Sequence, residues 1–310
     1  MLDLLIQNVQ VLDGTGKEAF RADVAVQGDE IVEIGSLPQA QAERVLDGEG
    51  LHLAPGFIDI HTHSGFLYPI NPKAESKVHQ GVTTEVIGHC GISVAPMFGD
   101  ARREAESLTK MIGIDIGWTT FAEYNDQLQE RGIALNVVHL LGHGALRDAV
   151  MGRTDREPTD DEIGKMQKEI DLAFEQGVWG MSSGLIYPPG TFTSTRELIE
   201  LSKAVARNGG IYSTHVRGEG QTLLKAIGEA IEIGECSGAP VQISHIKAAG
   251  KKHWPLGQKA LEQIQKALDM GMDIAADQYP YLAGHTELSA LLPHWMHNEG
   301  NQKLLERLAA

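Results

Sequence analysis

Four histidines and one cysteine stand at equivalent points of this chain. They are His61 and His63 in FIDIHTHS, Cys90 in EVIGHCG, His215 in IYSTHVRGEG and His245 in VQISHIKAAG. Each closes a short β-type run and is followed by glycine or polar loop residues. Imidazole and thiolate are the donors that zinc prefers. Barrel enzymes gather their reactive groups at the C-terminal ends of parallel strands. The five residues are therefore expected to form one metal centre, of the kind that serves a hydrolase. On a strand, His61 and His63 face the same side, so both imidazoles can enter one cavity. A lone His-x-His pair or a lone buried thiol would say little. A thiolate beside a divalent ion loses its proton to it and can bridge two ions.

Neighbouring residues extend the expectation. Thr214-His215-Val216-Arg217 and Ser244-His245-Ile246-Lys247 share one form, and continued alternation would bring Arg217 and Lys247 to the same cavity mouth. A cation there suits an anionic substrate group; the alternative is a base that reaches out to solvent. His143, in LLGHGALR, is expected to end a strand and line the pocket. His89 is expected to face away from Cys90 and to be structural. VRGEG lacks the lysine and spacing of a phosphate loop, and no Gly-x-Ser-x-Gly elbow appears.

The elements that must position these groups fall into two sets. Residues 1–54 read as short β-branched runs broken by Gly and Asp, a small antiparallel sheet or half of a sandwich, with a boundary near Ala54-Pro55-Gly56. From 55 onward, strand-like runs alternate with helical ones, the pattern of βαβ units and a parallel sheet. The strands are placed at Phe57–His61, Val82–Gly88, Ala134–Leu141, Val178–Ser182, Gly210–Thr214, Pro240–Ser244 and Asp273–Asp277. The helices are placed near 101–111, 120–131, 160–176, 195–208, 221–235 and 257–270. Thr159 with Glu162 and Ser194 with Glu197 have capping-box spacing. Seven strands are one short of a closed (β/α)8 barrel. Residues 285–310 carry no strand signal and are expected to begin a lid or insertion.

Composition narrows the function classes. The 310 residues hold 26 Lys and Arg against 42 Asp and Glu, a net charge of −16. That balance argues against nucleic acid and anionic membrane as partners. Only two cysteines, Cys90 and Cys236, are present. With no signal-peptide pattern at the N-terminus, they fit the reducing cytoplasm. No apolar run approaches membrane-spanning length.

The stretches LAPGFIDIHTHS, QGVTTEVIGHCGISVAP, LLGHGALRDAVMG, GMSSGLIYPPGTF, YSTHVRGEG, QISHIKAAG and DQYPYLAG together resemble the amidohydrolase superfamily, within it the D-aminoacylase (N-acyl-D-amino-acid deacylase) group. The resemblance implies a (β/α)8 barrel with a zinc centre that cleaves the N-acyl amide of D-amino acids. It implies that Cys90 and His215 hold the main zinc, and that His61, His63 and His245 form a second, weaker site. It implies that Lys247 and a tyrosine from the pair Tyr279 and Tyr281 hold the substrate carboxylate. The fourth strand, VWGMSSGL, has no lysine to bridge two metals, which favours the cysteine variant. His89 departs from the asparagine usual at that position.

The resemblance also implies a proton-shuttling aspartate at the end of an eighth strand, expected beyond Ala310. The chain is accordingly expected to be part of a longer deacylase, with little turnover of its own unless another carboxylate, such as Asp277, substitutes. An open seven-strand sheet leaves two edges, which a homo-oligomer could cover. Two alternatives stay open: a dihydroorotase- or hydantoinase-like enzyme of cyclic amides, and a metal-binding protein without activity.

Overall fold

The computed structural model describes residues 1–297 and 300–309. The chain divides into two compact units, Met1–Phe57 and Ile58–Ala310. The first unit is a five-stranded sheet. Strands β1 (Leu2–Val11), β2 (Phe20–Gln27), β3 (Glu30–Gly35) and β4 (Ala42–Asp47) lie in the order β3-β2-β1-β4, and β5 (His52–Leu53) also pairs with β1. The expected antiparallel sheet is corrected here to a mixed one. β1-β2 and β2-β3 are antiparallel, whereas β4 and β5 run parallel to β1. The turn at Asp29 lets β3 return beside β2; the connection from Gly35 to Ala42 then carries the chain to the other side of β1. Val9, Val11, Ala22 and Val24 form the small core of this unit, with Ile6 and Leu53 against it.

The second unit carries a seven-stranded sheet. Its strands are β6 (Phe57–Asp59), β7 (Val82–Ile87), β8 (Asn136–Gly142), β9 (Val178–Gly184), β10 (Ile211–His215), β11 (Val241–Ile243) and β12 (Ile274–Ala276). They are neighbours in chain order from β6 to β12. From β7 to β11 each pairs with the next in parallel, and β12 continues the pattern. The expected parallel seven-strand array of α/β type is what the structure contains.

The helices are α1 (Glu75–Val78), α2 (Gly99–Thr109), α3 (Phe121–Arg131), α4 (His143–Met151), α5 (Asp160–Glu175), α6 (Thr195–Arg207), α7 (Leu223–Ser237), α8 (Pro255–Asp269) and α9 (Gly300–Ala309). From α4 to α8, each packs against the next. Met166, Ile170, Leu198, Leu201, Ile227 and Ala260 turn from these helices onto Leu141, Met181, Tyr212 and Ile243 of the sheet. Burying them supplies the bulk of the stabilisation, at about 25 cal/mol per Å² of apolar surface.

Helix α5 starts in the expected capping box: Thr159 accepts from Glu162 N, and the Glu162 side chain returns to the Thr159 backbone. At α6 only half of the box forms. Ser194 accepts from Glu197 N, but the Glu197 carboxylate turns inward to His143 and Arg147. Helix α4 has no cap signal and went unread in the sequence. Leu288–Leu291 and His294–His297 form 3-10 turns and Gly300–Ala309 forms α9; positions 298, 299 and 310 of the segment expected to begin a lid lie outside the described residues. No helix among the described residues is long and apolar enough to cross a membrane.

Candidate metal centre

Adjacent strands are spaced about 4.8 Å apart, so in a flat sheet β7 and β10 would stand roughly 14 Å from each other. Yet Cys90, three residues past β7, has its Sγ 3.7 Å from Nδ1 of His215 at the end of β10. The sheet curls, and its C-terminal rim closes on one point. Cys90 Sγ is that point: His61 Nε2 lies at 3.6 Å and His245 Nε2 at 3.6 Å. Two of the residues at the rim hold unusual backbone angles. Cys90 has φ +55° and His245 φ +37°, a left-handed geometry that costs on the order of 1–3 kcal/mol and clusters at functional sites.

The surrounding loop holds Cys90 in that state. Gly91 N donates to Ser182 Oγ at 3.0 Å, and Ser182 Oγ donates to Gly88 O at 2.5 Å. Ala145 N donates to Gly91 O at 3.1 Å. Gly184 lies so close that a Cβ there would sit 2.1 Å from the Cys90 carbonyl oxygen.

Each of the three imidazoles shows one nitrogen to the sulfur and the other to a carboxylate. His61 Nδ1 faces Asp277 Oδ1 at 3.6 Å. His245 Nδ1 lies 3.2 Å and His215 Nε2 3.6 Å from Glu219 Oε1. Asp277 is anchored in turn: it accepts from His245 N at 2.6 Å and from Gln242 Nε2 at 2.8 Å. Lys247 Nζ bonds to Glu219 Oε1 and lies 5.6 Å from the centre of the Tyr279 ring.

Burial shapes the electrostatics. It pushes the Cys90 thiol up to about 12, with the Glu219 charge adding to the rise. It pulls His215 down to about 3, aided by the charge of His245. Burial alone would raise Glu219 and Asp277. The bond to His245 and the charges of His215 and Lys247 outweigh it for Glu219, and the nearby His61 ring with the bond to Gln242 does so for Asp277, so both carboxyls fall to about 2.

The donor set fits a soft or borderline divalent cation such as zinc. A thiol and three imidazole nitrogens converge on one point. His61 Nδ1 and His215 Nε2, although buried, have no hydrogen-bond partner. Donor atoms of His61, Cys90 and His245 all lie within 4.8 Å of one another, as do those of His215, Glu219 and His245.

Other expected residues fall differently. His63 stands beside the cluster, its ring centre 5.4 Å from that of His61. Burial, with the charges of His61 and His245, lowers it to about 4. It lines a cavity of about 420 Å³ that also contains Cys90, Met97, Asp148, Arg153 and Tyr187.

His143 is corrected: it does not line that cavity. β8 stops at Gly142, and His143 opens α4 fully buried, bonded to Glu197 at 2.9 Å. Arg217 is corrected too. Past the end of β10 the alternation lapses, and its guanidinium forks onto Glu229, at 2.9 Å, and the Thr193 carbonyl. His89 does not face away. Gly88 (φ +88°) and Cys90 interrupt the strand, and His89 stacks on His61 with ring centres 4.0 Å apart. Tyr281 is largely exposed, with its ring 6.4 Å from that of Tyr279.

Glu219 had gone unread, as had Tyr187, whose ring meets that of His215 edge-on at 5.1 Å. A charged residue between two glycines directly after a ligand-bearing strand was the available signal for Glu219. Tyr187 carried none.

Comparison with known proteins places this geometry. The chain matches the profile described as Amidohydrolase family over residues 44–310. It is 38% identical to a D-aminoacylase of Alcaligenes xylosoxydans xylosoxydans, over 92% of this chain and 59% of that one. It is 37% identical to an N-acyl-D-aspartate deacylase of the same organism, over 92% and 57% respectively. Among solved structures it superposes at a TM-score of 0.84, with 32% identity over 90% of this chain and 59% of that one, on the N-acyl-D-glutamate deacylase of Bordetella bronchiseptica, complexed with zinc and a phosphonate mimic of the tetrahedral intermediate. An L-hydantoinase of Arthrobacter aurescens, 18% identical at a TM-score of 0.63 over 90% of this chain and 59% of that one, shares the fold alone. The chain thus spans about three fifths of the length of the relatives it matches.

Proposed function

The chain belongs to the Amidohydrolase family, and from that membership we propose that its rim centre holds zinc and serves hydrolysis of the N-acyl amide of N-acyl-D-amino acids. The observation that carries this reading is Cys90 Sγ, set 3.6–3.7 Å from one nitrogen each of His61, His215 and His245. We assign those four residues to the metal. His63 would complete a second, weaker position on the cavity side. The cyclic-amide alternative has only a distant likeness behind it.

When bound, zinc supplies polarisation of the amide carbonyl and activation of water. The chain's own residues do the rest of what can be assigned. The ammonium of Lys247, beside Tyr279, orients the substrate carboxylate and with it the scissile bond. Burial of the rim keeps bulk water from competing for these charges.

Neither central carboxylate is assigned the proton transfer. Both oxygens of Asp277 are engaged by Gln242 and the His245 backbone, and Glu219 is tied to Lys247 and His245. Both are also held near 2, too acidic for a base working near neutrality. Free Cys90 and Cys236 suit a reducing compartment, the cytoplasm by this proposal.

The test is to load the 310-residue chain with zinc, measure stoichiometry, and follow amine release from N-acetyl-D-methionine and N-acetyl-D-glutamate and ring opening of dihydroorotate to its N-carbamoyl amino acid. Zinc is expected to bind, with little turnover of any of the three. No zinc binding would refute the metal assignment. Robust release from the N-acetyl amino acids would refute the exclusion of Asp277 and Glu219. Cleavage of dihydroorotate would refute the substrate class.

A further inference from the structure

Resting on the metal-holding role proposed above for His245, we propose that Glu219 is a positioning residue that fixes the tautomer of His245. The ring can carry its proton on Nδ1 or on Nε2, and only the first leaves a lone pair on the nitrogen that faces Cys90. Nδ1 lies 3.2 Å from Glu219 Oε1, a carboxylate oxygen that can only accept. The ring proton therefore belongs on Nδ1.

A second neighbour could argue otherwise. Lys247 Nζ lies 2.9 Å from the same Nδ1 and could donate into it, forcing the ring proton to Nε2. But Nζ also bonds to Glu219 Oε1. Two donors that converge on one anionic oxygen are brought close to each other without bonding to each other. The negative charge of Glu219 thus decides the direction of both bonds. It keeps the ammonium from protonating the outer face of the ring, and it leaves Nε2 open at 3.6 Å from the sulfur.

Glu219 does not act as a ligand in this scheme. Its Oε1 already takes up Lys247, and a cation placed there would meet that ammonium. His215 Nε2, 3.6 Å from the same oxygen, receives the weaker half of the same support. Carboxylates set behind ligating imidazoles in this way sharpen metal affinity by about 10–100-fold.

The test uses nitrogen-15 NMR of the metal-free 310-residue protein, which reads the tautomer of each histidine directly, together with zinc affinity from competition with a chromogenic chelator. In the parent, His245 is expected as the Nδ1–H form. Glu219→Gln keeps size and shape but brings an amide that can donate, so the Nε2–H form should appear and zinc should bind about 10–100-fold more weakly at unchanged stoichiometry. Lys247→Met should keep the Nδ1–H form and lose less affinity than Glu219→Gln.

An Nε2–H ring in the parent overturns the proposal without any variant having to fold. So does zinc affinity in Glu219→Gln within about threefold of the parent, or an equal loss in Lys247→Met. A fall of one bound ion in Glu219→Gln would make Glu219 a ligand and overturn it as well. If the parent binds no zinc at all, it is the metal assignment that fails, and the tautomer result still stands by itself.

Discussion

Zinc affinity should follow pH through a single proton, and that proton should be the one on Cys90. Burial raises the thiol from its ordinary 9.0 to about 12. At about 1.4 kcal/mol per pH unit, this disfavours the bare thiolate by on the order of 4 kcal/mol. Near neutral pH the metal-free protein therefore holds a thiol, and an arriving ion must displace its hydrogen. His215, at about 3, and His63, at about 4, are neutral long before that range. Between about pH 8 and about pH 9.5 the Cys90 proton is then the one released on binding.

The apparent Kd for zinc should then fall about tenfold for each unit of pH across that window. Chelator competition in a series of buffers measures the slope. Cys90→Ser should flatten it, because the hydroxyl keeps its proton, and should cost more affinity than the about 10–100-fold attached to losing an outer carboxylate. A flat profile in the parent, or an unchanged slope in Cys90→Ser, would show that the thiol is not a ligand.

Two other perturbations test how the centre is held. Glu197→Gln leaves fully buried Arg147 without its charge partner and should destabilise by about 3–5 kcal/mol, lowering Tm by on the order of 10 °C. Burial raises the Glu197 carboxyl, but the bond to His143 and the charges of His143 and Arg147 hold it below its ordinary 4.5 overall. Its contribution is therefore complete above pH 4.5 and disappears as pH falls through the lower folded value. Calorimetry of the parent should show that acid limb, and the variant should lack it. Gly184→Ala puts a Cβ 2.1 Å from the Cys90 carbonyl oxygen. It should cost about 1–3 kcal/mol of stability and weaken zinc binding. A variant that melts lower yet binds zinc as the parent does would separate Cys90 placement from the β9 contact.

The parallel sheet was legible because short strand-type runs alternate with helical ones, as Val178–Gly184 and Ile211–His215 do on either side of α6. Residue type and position at strand ends made the thiol and imidazoles conspicuous. Misjudged neighbours have a common cause. Alternation does not extend to Arg217 and His89, and the strand expected to end at His143 stops one residue earlier, where the chain enters a loop or helix. Direction then depends on partners distant in sequence: Glu229 draws Arg217 away, and Glu197 draws His143 inward. Glu219 lies in a loop with no periodicity, and only the folded rim reveals that its carboxylate stands behind two rings. The mixed pairing in the first unit was equally hidden, since strand direction leaves no mark on a β-branched run.

The strands neighbour one another in chain order, so each can dock as soon as the one before it is laid down. Cys90 and His245 nonetheless lie 155 residues apart and meet only after β8 to β11 have all been added and bent round. On the proposed metal assignment, capture of an ion would then follow assembly of the sheet rather than seed it. A fluorescent zinc indicator mixed with refolding chain should register uptake only after helical circular dichroism has finished growing.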